Sequence, residues 1–134
     1  KQKEKLFAKY PKLFVQKDLP MTQTCMCWGI TCGDGWYFLI DQLCATIQQY
    51  IDDNKKPQIE FVQVKEKWSS LRIYWNNHSD ELIGGMVWFA ESLSSSICEE
   101  CGSTENVSQT KEHWIRTLCS KCIVNPSDAI EVSK

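Results

Sequence analysis

The stretch Cys98-Glu99-Glu100-Cys101-Gly102, answered after seventeen intervening residues by Cys119-Ser120-Lys121-Cys122, decides how the last third of this chain folds. A two-residue gap lets both thiolates of a pair turn toward one ion, and Gly102 suits the bend that such a knuckle needs. Four thiolates complete a tetrahedral shell. A structural zinc ion with no open position is therefore the expected occupant, held by Cys98, Cys101, Cys119 and Cys122. A segment this short cannot close a core alone, whereas a structural zinc contributes on the order of 10 kcal/mol of apparent folding free energy. Two disulfides across the same cysteines are the rival arrangement. An iron–sulfur cluster uses the same soft ligands, but no ferredoxin-type cysteine run supports it. Trp114, Ile115 and Leu118 are expected to pack beside the metal. With four cysteines in place, His113 is read as a bystander.

Working outward, the rest of the 134 residues fits one domain, with 43% hydrophobic residues and six Trp to fill a core. No apolar run approaches the ~20 residues of a membrane helix. The net charge of −2 argues against nonspecific coating of nucleic acid. The N-terminal Lys-Gln-Lys-Glu-Lys carries no apolar signal segment, so a reducing compartment is expected.

Trp36, Leu39, Ile40, Leu43, Cys44, Ile47 and Ile51 form a stripe at helical period, with Asp34 placed to cap a helix starting near Gly35 or Trp36. Residues 58–75 change period. Ile59, Phe61, Val62 and Val64, then Leu71-Arg72-Ile73-Tyr74-Trp75, read as two antiparallel strands with the turn somewhere in Lys65–Ser70. A second helix follows a cap at Ser79 or Asp80, with Leu82, Ile83, Met86, Val87, Phe89, Ala90, Leu93 and Ile97 as its expected buried stripe. Gly84-Gly85 costs that helix about 1 kcal/mol each relative to Ala, and a closely approaching backbone would explain the pair. At the N-terminus six lysines meet Leu6, Phe7, Tyr10, Leu13 and Phe14 on one helical face, interrupted by Pro11. The aromatics are expected to pack on the domain while the lysines stay wet.

The fold class is thus α+β: two main helices packed on a small antiparallel sheet, with a C-terminal zinc-ribbon-like knuckle pair. Residues 1–97 form the core with a basic N-terminal helical arm, 98–122 the knuckle segment packed on it, and 123–134 a tail.

The second cysteine group, Cys25, Cys27, Cys32 and Cys44, does not have a zinc spacing. It is read as core and tight-loop residues. A second metal site, or a reactive Cys32 ahead of Gly33-Asp34-Gly35, is the functional alternative. Only His78 and His113 could serve as a base, and neither sits in a catalytic context. A four-cysteine zinc leaves nothing to activate a water, so no catalytic residue is expected. A zinc-ribbon nucleic-acid binder or transcription regulator stays open. Against it, residues 98–134 carry a charge of −2 where a phosphate-binding ribbon would be basic. Trp68, Arg72, Tyr74 and Trp75 could stack bases, although aromatic strand residues are usually core.

The string Cys25-Met26-Cys27-Trp28-Gly29-Ile30-Thr31-Cys32-Gly33-Asp34-Gly35-Trp36-Tyr37 carries a resemblance. So do Val64-Lys65-Glu66-Lys67, Leu71-Arg72-Ile73-Tyr74, Ala90-Glu91-Ser92-Leu93-Ser94 and the two cysteine pairs. Over roughly residues 6–122 the chain resembles a family of small hypothetical proteins of bacteriophages and bacterial genomes. It departs from that pattern at Trp68-Ser69-Ser70, where Phe-Gly-Gly is expected. The resemblance implies a phage or mobile-element accessory protein in bacterial cytoplasm, away from membranes. Such a protein binds a host protein as an inhibitor or adaptor, host-defence inhibitors being one such class. A non-enzymatic, zinc-stabilised module with a host-protein partner is the expected function. A thiol-dependent enzyme using the Cys25–Cys32 loop is the remaining alternative.

Overall fold

The computed structural model describes residues 2–111 and 114–123. His113 and all but the first residue of the 123–134 tail lie outside the described residues. The fold is α+β. In chain order it holds α1 (Lys5–Lys9), β1 (Ile30–Thr31), α2 (Tyr37–Asn54), β2 (Phe61–Lys67), β3 (Ser70–Trp75), α3 (Glu81–Ser94), β4 (Val107–Gln109) and β5 (Thr117–Cys119).

The central sheet runs β1-β2-β3 and is mixed, because β1 pairs parallel with β2 through Ile30↔Val64 and Thr31↔Lys65. Sequence pattern missed β1: a two-residue strand in a Cys- and Gly-rich loop has no period to detect. Strands β2 and β3 are antiparallel, pairing Val64 with Ile73 and Glu66 with Leu71 on one face, Gln63 with Tyr74 and Lys65 with Arg72 on the other. The first face is the core side, where Phe61, Val64, Leu71 and Ile73 are buried.

The turn between them is tighter than its polar sequence implies. Lys65, Glu66 and Lys67 all lie in β2, and Trp68 and Ser69 alone reverse the chain, both at positive φ (54° and 70°). Two left-handed residues between paired Lys67 and Ser70 are a type I′ turn, whose twist matches that of the strands. Neither residue is glycine, so each carries a steric cost of about 1–2 kcal/mol. The turn is held in place: Ser69 N donates to Glu66 Oε2 at 2.9 Å, and Ser69 O accepts from Thr117 Oγ1 at 2.5 Å.

Helix α2 buries Leu39, Ile40, Leu43, Cys44, Ile47 and Ile51, and Lys55 in the left-handed region ends it. Its start differs from the expected Asp34 cap. A 3-10 turn over Asp34–Trp36 precedes it, Trp36 is the cap residue, and the Asp34 side chain makes no cap bond. Trp36 is fully buried, and its indole Nε1 donates to Ile97 O at 2.8 Å. Helix α3 does start at the expected cap: Asp80 Oδ1 accepts from Leu82 N and Ile83 N. Its buried stripe is Ile83, Val87, Ala90 and Ser94, while Leu82, Phe89 and Leu93 are exposed. Apolar residues occupy both sides of this helix, so periodicity could not say which side faces in.

The basic arm is docked. Leu6, Leu13 and Phe14 have no solvent exposure, Phe14 meets Phe61 edge-on, and Lys9 Nζ and Tyr10 Oη both reach Asp41 Oδ1 of α2 at 2.7 Å.

Candidate metal centre

Cys98 comes four residues after α3 ends at Ser94, and the chain folds back at once. Cys98 N donates to Ser103 O and Gly102 N to Cys98 O, with Gly102 at φ +83°. The second pair repeats the device: β5 ends at Cys119, whose carbonyl accepts from Cys122 N and Ile123 N. The two-stranded β4–β5 sheet sets the pairs side by side through Val107↔Cys119. All four sulfurs consequently lie within 4.8 Å of one another.

That cluster fits a tetrathiolate metal site. Sulfurs ~2.3 Å from a tetrahedral ion sit about 3.8 Å apart, and Cys101 Sγ to Cys119 Sγ is 3.6 Å. The same distance is well beyond the ~2.05 Å of a disulfide, and all eight cysteines are free. Cys98 and Cys119 are buried, Cys122 is half-buried and Cys101 exposed.

The electrostatics suit a cation. Burial opposes ionisation of Cys119, but the backbone N–H of Lys121 and the Cys101 and Cys122 thiols outweigh it and bring its pKa down to about 7. Burial and then the neighbouring thiols push Cys122 up to about 12. Cys119 is thus eased toward the thiolate while Cys122 is held back from it, and a bound divalent ion removes that opposition.

Of the expected packing residues only Leu118 joins Cys98 and Cys119 in the small core under the site. Trp114 is exposed, its Nε1 donating to Glu66 Oε1 at 3.1 Å, and Ile115 is half-buried outside that cluster. The indole bridges outward to the β2–β3 hairpin instead.

The knuckle is fastened to the rest of the molecule through the loop Cys32-Gly33-Asp34-Gly35. Gly35 N donates to Glu99 O at 2.7 Å and Gly33 N to Glu99 Oε2 at 2.8 Å. A Cβ on Gly33 would lie 2.4 Å from Glu99 O, and one on Gly35 2.1 Å from Cys98 O. Only glycine permits that approach. Glu99 is buried, and desolvation raises its pKa against the pull of Gly33 N–H and Arg116. Its Oε1 makes no hydrogen bond and instead faces Arg116 Nε at 3.6 Å, an ion-pair distance. Arg116 also bonds Glu100 at 3.0 Å. Glu99 was not singled out from sequence; its position inside a knuckle was the sole signal available.

The first cysteine group is not brought together. Among the described residues the C-terminal quartet is the group close enough to share an ion, and Cys25, Cys27, Cys32 and Cys44 form no such group. Cys44 is fully buried. Cys32 is buried against the knuckle side, and burial followed by the Glu99 charge pushes its thiol up to about 12, the reverse of an activated nucleophile. His78 stacks on Trp75 with ring centroids 4.3 Å apart. Among the described residues no helix is long and apolar enough to cross a membrane. Compared with family models, with curated proteins and with solved structures, the chain matches none.

Proposed function

We propose that this chain is a non-catalytic, zinc-stabilised binding module that acts by docking on another protein through α3. The observation that carries this reading is the solvent side of α3. Leu82 is 55% exposed, Trp88 76% and Phe89 67%, with Leu93 beside them and Glu81 as the charged residue at the start of that side. Large apolar side chains clustered on the solvent side of a helix are ordinarily covered, and a patch with two large aromatics supplies the kind of anchor that dominates protein interfaces. Gly84 and Gly85 add to the case, since a Cβ on either meets nothing within 4 Å. Among the described residues no backbone approaches them, contrary to the sequence expectation, and their cost to helix propensity has no return there.

Zinc is the metal that four thiolates at this spacing suit best, and its part is structural: it holds Cys98–Cys122 rigid so that Glu99 can anchor the Gly33–Gly35 loop. A thiol enzyme is disfavoured by the burial and raised pKa of Cys32. The family resemblance supports a bacteriophage or mobile-element accessory role in the bacterial cytoplasm, with a host protein as partner and inhibition of a host defence as one form of it. The test is affinity capture from bacterial lysate with the tagged chain and with its Phe89→Lys variant. One host protein recovered at stoichiometric yield by the parent and lost by the variant supports the reading. Recovery of no such protein, or recovery that Phe89→Lys leaves unchanged, refutes it.

A further inference from the structure

The sheet face that points away from the core is basic on a chain whose net charge is −2. Lys65 pairs with Arg72 and Gln63 with Tyr74 on this face, Lys67 pairs with Ser70 two residues on, and the strands place no carboxylate among them. Glu66 belongs to the opposite face, where it accepts from Ser69 N and Trp114 Nε1. No ion pair engages Lys65, Lys67 or Arg72 among the described residues.

Beside this face a groove of about 440 Å³ runs between β3 and α3, and Lys67, Arg72 and Tyr74 reach into it. Its aromatic walls are Trp68 on the hairpin turn, Trp88 on α3, and Trp75, which carries His78 stacked on it at an interplanar angle of 14°. Trp68 is 75% exposed, and Tyr74 and His78 are exposed as well, while Trp75 is half-buried and packs against the core with His78 stacked on it. The one carboxylate in the lining, Glu91, is engaged by Ile73 N at 3.0 Å. Gly84 leaves the α3 wall open.

A peptide strand has no purchase here. The outward N–H groups of β3 at Leu71 and Ile73 are already taken by Ser94 Oγ and Glu91 Oε2, which closes the edge to strand addition. What remains is a set of flat ring faces beside three unpaired cations, the combination that holds unpaired bases by stacking and their phosphates by charge. We infer that this face and groove bind a short single strand of DNA or RNA, its bases on Trp68, Trp88 and the Trp75–His78 stack and its phosphates toward Lys65, Lys67 and Arg72. Trp88 is shared with the protein-docking patch, whose Leu82, Phe89 and Leu93 lie outside the groove lining, so Phe89→Lys probes that patch alone and Lys67→Glu/Arg72→Glu this face alone.

The experiment is fluorescence anisotropy of the intact, metal-loaded chain with end-labelled oligo-dT and oligo-U of about a dozen nucleotides. Three phosphate contacts give a log–log salt slope of about −2, or roughly a 20-fold loss of affinity between 50 and 200 mM salt. Trp88→Ala and the pair Lys67→Glu/Arg72→Glu each weaken binding about tenfold or more, with circular dichroism and unfolding midpoint unchanged because these side chains pack on nothing essential. A duplex of the same length binds more weakly, and the two oligomers rank DNA against RNA. No anisotropy change with either oligomer up to about 100 µM at low salt overturns the inference. So does binding that Trp88→Ala leaves intact, or a duplex that binds as tightly.

Discussion

Gly35 N lies 2.7 Å from Glu99 O, and the α-hydrogen that a side chain would replace at Gly35 points at Cys98 O. The glycine loop and the first cysteine pair are thus one joint, made by residues more than sixty positions apart. Gly35→Ala forces the two backbones apart. It is expected to destabilise the protein by about 2–3 kcal/mol and to speed loss of metal to a competing chelator. Unfolding midpoint and metal-release rate read the two effects, and a variant as stable as the parent contradicts the joint.

Gly84→Ala and Gly85→Ala are expected to act in the opposite sense. Neither new methyl meets any atom within 4 Å, so each variant gains helix propensity worth up to about 1 kcal/mol. Chemical denaturation measures the gain, and a loss of stability instead would mean that these glycines serve the fold.

The N-terminal arm makes the fold sensitive to acid. Burial works against the Asp41 carboxylate, but hydrogen bonds from Lys9 and Tyr10 outweigh it and hold its pKa below 3.8. A carboxyl depressed on folding adds stability at pH values above its unfolded pKa, and that contribution is lost as pH falls through the folded value. Asp41→Asn should therefore be less stable than the parent at pH 6, with the difference shrinking below pH ~4. A difference that stays constant across this range contradicts the assignment.

Much of this was legible in the residues. Helix α2 shows one apolar stripe and one polar side, so its buried face could be read directly, and the two Cys-x2-Cys pairs carry their own geometry. Other features depend on distant partners. Helix α3 is apolar on both sides, and only the position of β3 decides that Ile83 and Val87 go in while Phe89 stays out. The Gly33–Gly35 loop looked like a tight turn, yet its shape is set by Glu99. Trp68 and Ser69 have no local preference for positive φ; strand register and the Thr117 bond impose it.

On the proposed reading one zinc ion knits Cys98, Cys101, Cys119 and Cys122 together. Elemental analysis of protein dialysed against buffer tests it most directly. The expected result is one zinc per chain, lost together with the folded C-terminal segment when Cys101 and Cys122 are changed to Ser. Protein free of metal, or an intact mass showing those sulfurs joined as disulfides, would contradict it.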